Sequence, residues 1–262
     1  MEIWQAIVLG AVQGFAEFLP VSSSGHLLMF QRWFGITEGG LFFDIMLHIG
    51  TLIPVFIVFY KQIFALFKKP FNKLLFLIIA TIPAALTGFF LGDFVEGVFY
   101  EGTLLAAVFL SATFLLTAGE LFLSELISKK SEKMLPLSYK SSIAMGLAQS
   151  IAIVPGLSRS GTVISSGCFC GVDRNENANF TFLMSIPIIL GAALVSALDV
   201  IETGVEIDAV PLIFGMLTSM VTGYIAIKAM LAVIKTANYK WFSLYLVLMS
   251  VASVVSFVVF GV

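Results

Sequence analysis

Charge is what this chain has least of. Only 11% of its 262 residues are Asp, Glu, Lys or Arg, while 59% are hydrophobic. A soluble globular domain carries about a quarter charged residues. So little charge cannot cover a water-soluble particle of 28.4 kDa, so soluble enzymes are excluded and an integral membrane protein is expected. Basic charge is short as well: a net charge of -2 and a pI near 5.7 leave no footprint for nucleic acid, which is not expected as a partner. Cysteine and histidine are scarce, with two of each. Cys168 and Cys170 lie two apart in an apolar stretch, too few for a zinc site and too close for a disulfide framework, and read as small buried hydrophobes. The acidic start Met1-Glu2-Ile3-Trp4 lacks the basic flank and cleavage site of a secretory signal. Alternating barrel strands are missing too, which leaves an all-α polytopic membrane protein.

What is present is organised around long apolar runs. Leu41–Tyr60, Leu74–Gly92, Thr103–Leu126, Ala178–Val200, Ala209–Ile234 and Trp241–Phe260 are each long enough to span a bilayer. Two further segments, Ile3–Phe30 and Ile143–Cys170, are apolar at their ends and broken at the centre. The breaks read Glu17-Phe-Leu-Pro-Val-Ser-Ser-Ser-Gly-His26 and Pro155-Gly-Leu-Ser-Arg-Ser-Gly161. Irregular backbone at membrane depth is tolerated only when buried in protein or lining a wet cavity, so both segments are expected to be re-entrant hairpins of two half-helices.

The loop charges give an orientation. Lys61, Lys68, Lys69 and Lys73 share one loop, Lys129, Lys130, Lys133 and Lys140 a second, and Lys235 and Lys240 flank a third. The alternate loops carry Asp93, Glu96 and Glu101, then Glu202, Glu206 and Asp208, with no Lys or Arg. The positive-inside rule puts the first set in the cytoplasm. Both termini then fall outside, the first hairpin enters from outside and the second from the cytoplasm. A repeat fits that opposition. With Gly10 aligned on Gly146, Gln13 meets Gln149, Ser22 meets Ser158, Ser24 meets Ser160 and Gly25 meets Gly161, while Glu17 meets Ile153, Ser23 meets Arg159 and His26 meets Thr162. Halves 1–128 and 140–262 would each hold one hairpin and three spans, an inverted repeat of the kind that builds sites from discontinuous helices.

The breaks carry the chemistry. Glu17 is an ionisable group in an apolar segment, which is costly and functional by default. Gln13 lies one helical turn before it on the same face, and a carboxylate beside an amide oxygen can hold a hard divalent cation, Mg2+ or Ca2+. Ser22, Ser23, Ser24 and Gly25 at the start of a half-helix form an anion-binding concavity, and His26 can act as base, acid or nucleophile. Taken alone, such a serine run is a helix cap. Arg159, between Ser158 and Ser160, offers bidentate contacts to phosphate oxygens; its bland alternative is a structural pair with Glu17 or Asp44, which leaves the serines and glycines unexplained. His48, one turn after Asp44, reads as a helix-packing hydrogen bond, Lys228 as a snorkelling cation, and Asp173, Arg174 and Glu176 as a solvated loop. Carboxylate, hydroxyls, imidazole and guanidinium together match phosphoryl transfer. A water-soluble ester needs no membrane-embedded site, so the substrate is expected to be a phosphorylated lipid.

These two motifs, Gln13 to His26 and Pro155 to Gly161, resemble the signatures of the bacterial undecaprenyl-diphosphate phosphatases, the bacitracin-resistance phosphatases, and the likeness covers essentially the whole chain. The resemblance implies hydrolysis of undecaprenyl diphosphate to undecaprenyl phosphate and inorganic phosphate in the plasma membrane, recycling the carrier lipid for cell-wall polymers. It implies that Glu17 is a metal-associated acid, that Ser23 and His26 are nucleophile and base, and that Ser158 and Arg159 bind phosphate. Many members of that family carry Glu where this chain has Gln13, and their Thr usually falls at Val163 rather than Thr162, which receives no role. The substrate-binding set is Ser22, Ser24, Gly25, Gly156, Ser158, Ser160 and Gly161. Whether Ser23 attacks with help from His26, or His26 attacks itself, stays open at this level, as does monomer against homodimer. An inverted repeat also suits a flippase for undecaprenyl phosphate, which would need the phosphate cradle but no nucleophile.

Overall fold

The computed structural model describes residues 1–36, 40–100, 103–130, 134–203, 208–236 and 238–260. Among them the chain forms ten helices: α1 (Ile3–Phe18), α2 (Ser23–Trp33), α3 (Gly40–Leu66), α4 (Asn72–Tyr100), α5 (Leu104–Lys130), α6 (Tyr139–Ile151), α7 (Arg159–Phe169), α8 (Arg174–Thr203), α9 (Ala209–Thr236) and α10 (Lys240–Phe260). No strand occurs among the described residues, only one isolated bridge between Leu135 and Val172.

Six helices are long and apolar enough to cross a membrane: α3, α4, α5, α8, α9 and α10. They fall on the six apolar runs, so the chain is a multi-pass membrane protein. The helices outrun those sequences at their polar ends. Lys61 does not stop α3, and α4 carries on through Asp93, because charged residues end an apolar pattern without ending a helix. Asp173, Arg174 and Glu176, expected in a solvated loop, instead open α8. The Asp173 carboxylate caps it by accepting from the Asn175 and Glu176 amides, both at 3.0 Å. Glu176 accepts from Lys73 Nζ and from the Leu137 amide, both at 2.9 Å, so this turn ties two basic loops to α8. Of the orienting charges, Glu101, Lys133 and Glu206 lie outside the described residues.

α1, α2, α6 and α7 are too short to cross, since about 20 residues are needed. α1 packs against α2 and α6 against α7. Each pair then rests on a long helix from the other end of the chain: α1 on α9, and α6 on α4. α5 lies along α10, and α3 along α8. Lipid tails supply no hydrophobic drive between helices, so close packing of small residues has to hold them. The sequence supplies those residues. Gly10 and Gly14 of α1 face Gly215, Ser219 and Gly223 of α9 at the same four-residue spacing, and a methyl group on Gly10 would sit 2.3 Å from the Gly215 carbonyl oxygen. On α6, Gly146 makes the matching approach to Ala80 of α4, where a methyl group would lie 2.7 Å from the carbonyl oxygen.

Gly10→Val is therefore expected to push α1 off α9 and cost about 1–3 kcal/mol or more, read as a drop in the melting temperature of the detergent-purified protein. Gly119→Ala faces open space and should be neutral or gain roughly 0.5–1 kcal/mol as a helix-interior glycine. Equal behaviour of the two variants would contradict the packing account.

Candidate active site

The short helices end where the sequence breaks. α1 stops at Phe18 before Pro20, and α6 stops at Ile151 before Pro155. After each break the next helix is capped in the same way: Ser22 Oγ accepts from the Gly25 amide at 3.3 Å, and Ser158 Oγ accepts from the Gly161 amide at 3.1 Å. Ser22 has φ 70°, the left-handed region; among the described residues no other non-glycine does. Such strain persists only where the surroundings impose it, and here the Ser22 carbonyl accepts from the His26 amide at 3.3 Å and faces His26 Nδ1 at 2.7 Å.

The breaks interlock. Gly25 meets Gly156, where a methyl group would lie 3.0 Å from the Gly156 Cα, and Gly161 meets Pro20 at 3.2 Å in the same sense. Gly156 has φ 89°, and Thr113 leaves it no room for a side chain. Ser160 Oγ donates to the Leu19 carbonyl at 3.2 Å, Thr113 Oγ1 to the Pro155 carbonyl at 2.8 Å, and the Ser158 amide to Thr117 Oγ1 at 3.1 Å. Backbone groups freed by the breaks thus find partners in protein. Gly25, Gly156 and Gly161 let the two breaks close on one another, and Ser22 serves as a cap.

The central contact joins the two breaks. Arg159 donates through Nη2 to Glu17 Oε1. Glu17 Oε2 accepts from Ser23 Oγ at 2.9 Å and from Gln13 Nε2 at 3.1 Å. The carboxylate is 4% exposed, and Gln13 is fully buried. The structural pair weighed against phosphate binding is therefore made, in the same cavity as the serines.

That cavity, of about 200 Å3, has a polar floor of Glu17, Ser23, Ser24, His48, Ser158, Arg159 and Ser160. Ile45 of α3, Ile153, and Ile188, Ile189 and Ala192 of α8 give it apolar walls, of which Ala192 is exposed. The first residues of α2 and α7, Ser23 and Arg159, both line it, so two helix N-termini converge there, with no acid in either first turn. Converging N-termini favour an anion.

Two histidines exchange places relative to expectation. His26 lies outside the cavity lining: its Nε2 is 2.6 Å from Tyr245 Oη, and its ring stacks on Tyr245 and meets Phe114 edge-on. His48 lines the cavity, with Nε2 3.4 Å from Glu17 Oε2. Its Nδ1 sits 2.7 Å from the Asp44 carbonyl of its own helix, and its contact between helices is the one from Nε2 to Glu17 of α1. No local pattern flags His48; its place depends on how α3 is rotated against α1. Thr162 donates to Glu120 at 2.8 Å, away from the cavity.

The chain matches the family described as bacitracin resistance protein BacA over residues 6–252. It belongs to that family. An undecaprenyl-diphosphatase of Carboxydothermus hydrogenoformans is 40% identical over 259 residues, covering 97% of each chain. One of Halothermothrix orenii is 36% identical over 249 residues, covering 94% of each. Undecaprenyl-diphosphatase 3 of Bacillus cereus is 38% identical over 243 residues, covering 92% of each.

Breaking a buried pair costs more than removing both charges, because the survivor stays desolvated. Arg159→Ala should destabilise the protein by about 3–5 kcal/mol, and adding Glu17→Gln should recover most of that loss. Thermal unfolding of the single and double variants in detergent reads the cycle, and a double variant no more stable than Arg159→Ala alone would count against the pair.

Proposed function

We propose that this protein is an undecaprenyl-diphosphate phosphatase of the bacterial plasma membrane, releasing undecaprenyl phosphate and inorganic phosphate and so recycling the carrier lipid. One observation carries the reading beyond family membership: Glu17, Ser23 and Arg159, from two separate breaks, share one cavity at which two helix N-termini converge. The apolar walls from α3 and α8 suit a lipid whose tail stays in the bilayer.

In this reading Arg159 and the N-termini of α2 and α7 take the phosphate oxygens. Ser23 Oγ attacks the terminal phosphorus, and its proton passes to the Glu17 carboxylate, which already accepts it at 2.9 Å. The bond from that phosphorus to the bridging oxygen breaks, and undecaprenyl phosphate leaves. Water then attacks the phosphoserine; the bond from phosphorus to Ser23 Oγ breaks, the proton held by Glu17 returns to Oγ, and inorganic phosphate leaves with the protons of the water. His26, held between the Ser22 carbonyl and Tyr245, fixes the first turn of α2 behind Ser23. The donor set also fits a divalent cation: among the described residues Gln13 Oε1 is buried without a partner, and its amide lies beside the Glu17 carboxylate. Such an ion, held by Glu17 and Gln13, would neutralise charge on the diphosphate.

The loop lysines support an outward-opening site with both termini outside. Ile45 and His48 lie near the start of α3, the end that this orientation places outward. The matching caps at Ser22 and Ser158, and the exchanged packing of α1 on α9 and α6 on α4, support halves 1–128 and 140–262 as an inverted repeat.

Purified protein is expected to release phosphate from undecaprenyl diphosphate. Arg159→Ala should lower turnover by about 10³–10⁵, the range for an arginine that stabilises a transferring phosphoryl group. Ser23→Ala and Glu17→Ala should approach background. Normal turnover in the Ser23→Ala protein would rule out the nucleophile named here.

A further inference from the structure

His48 lines the cavity and sets Nε2 3.4 Å from Glu17 Oε2. Its Nδ1 is 2.7 Å from the Asp44 backbone carbonyl, which can only accept, so Nδ1 is the donor there. The neutral ring with that proton placement offers the Nε2 lone pair beside the carboxylate. Around the same carboxylate oxygen stand the Ser23 hydroxyl at 2.9 Å and the Gln13 amide at 3.1 Å. The Gln13 carbonyl oxygen is buried and unpartnered among the described residues. A half-turn of that amide exchanges its NH2 for its oxygen at nearly the same place. Imidazole, amide and hydroxyl thus all lie within 3.4 Å of one carboxylate oxygen.

We infer that His48 is a nitrogen ligand of the divalent cation at this site, sharing it with Glu17 and Gln13. The inference rests on the cation reading above and adds to it both a residue and a metal preference. Donors about 2.0–2.2 Å from a shared ion lie roughly 3–3.5 Å apart, and the gap between His48 Nε2 and Glu17 Oε2 is in that range. An Nδ1–H held by a backbone carbonyl is the arrangement that orients metal-binding histidines. An imidazole in the ligand set moves the preference from Mg2+ or Ca2+, which take oxygen donors, towards first-row transition ions such as Fe2+ and Zn2+, for which paramagnetic Mn2+ serves as the stand-in. The chain has only two histidines, and His26 is committed to Ser22 and Tyr245 outside the cavity lining. Any histidine nitrogen on the metal is thus attributable.

The test uses full-length protein without a polyhistidine tag, stripped of metal in detergent and loaded with Mn2+ as the probe. Electron spin-echo modulation reads nitrogen bound to Mn2+ independently of turnover. Wild-type protein should show 14N modulation, and labelling with 15N-histidine should convert it to the 15N pattern. His48→Gln should abolish the modulation and weaken Mn2+ binding about tenfold or more, whereas His26→Gln should keep it. Bound Mn2+ without histidine modulation in the wild type overturns the ligand assignment and needs no variant to fold. Modulation that survives His48→Gln overturns it as well. If no Mn2+ binds, the cation reading falls together with the ligand, while phosphate release from undecaprenyl diphosphate still decides the enzymatic reading separately.

Discussion

Arg159 and Glu17 meet at the junction of two broken helices, and the site depends on that meeting. A carboxylate 4% exposed in an apolar bundle would be costly without a counter-charge. Arg159 supplies it from the second break, and Ser23 and Gln13 supply neutral donors. The pair holds its two helix starts together, but it does so only because the breaks already fit. Gly25 against Gly156, Gly161 against Pro20, and Ser160 on the Leu19 carbonyl bring the two backbones within contact.

Depth is set elsewhere. The glycine faces of α1 on α9 and of α6 against Ala80 on α4 allow backbone-to-backbone approach, the main means of fixing one helix against another in lipid. Those contacts hold the short helices so that both chain breaks arrive at one place. The two breaks share a cap but not a cargo. Where the first has Glu17, Ser23 and His26, the second has Ile153, Arg159 and Thr162. One break brings the acid and the hydroxyl, and the other brings the cation. A strictly duplicated site would have set two carboxylates or two guanidiniums face to face.

The spans were legible because hydropathy over some twenty residues is a property of the run itself. The breaks were legible because Pro, Ser and Gly interrupt that run, and Glu17 and Arg159 because charge at such a place is rare. The missing parts depend on relations between helices. His48 enters the cavity through the rotation of α3 against α1, and nothing near it in the sequence records that rotation. His26 follows the serines closely enough to look catalytic, yet the first turn of α2 carries its ring towards Tyr245 of α10. The glycines of the motifs looked like phosphate-cradle residues; in the fold they are also the surfaces on which the breaks close. Arg174 and Glu176 looked solvated because a polar pattern does not distinguish a loop from the capped first turn of a helix.

The guanidinium cannot serve Glu17 and a diphosphate equally. In the proposed reading, phosphate oxygens entering the cavity would compete for Arg159, and every step of that competition would leave the Glu17 carboxylate less neutralised. In a buried site this would oppose binding unless another group took over. Ser23 and Gln13 already donate to Oε2, and His48 stands beside the same oxygen. The Ser23 and Gln13 donors offset only part of what the carboxylate loses with its guanidinium, and the Ser23 proton is its nearest replacement partner. Under the proposed mechanism, the exchange of partners that admits the phosphate would draw the Ser23 proton towards Glu17 and so couple substrate binding to attack.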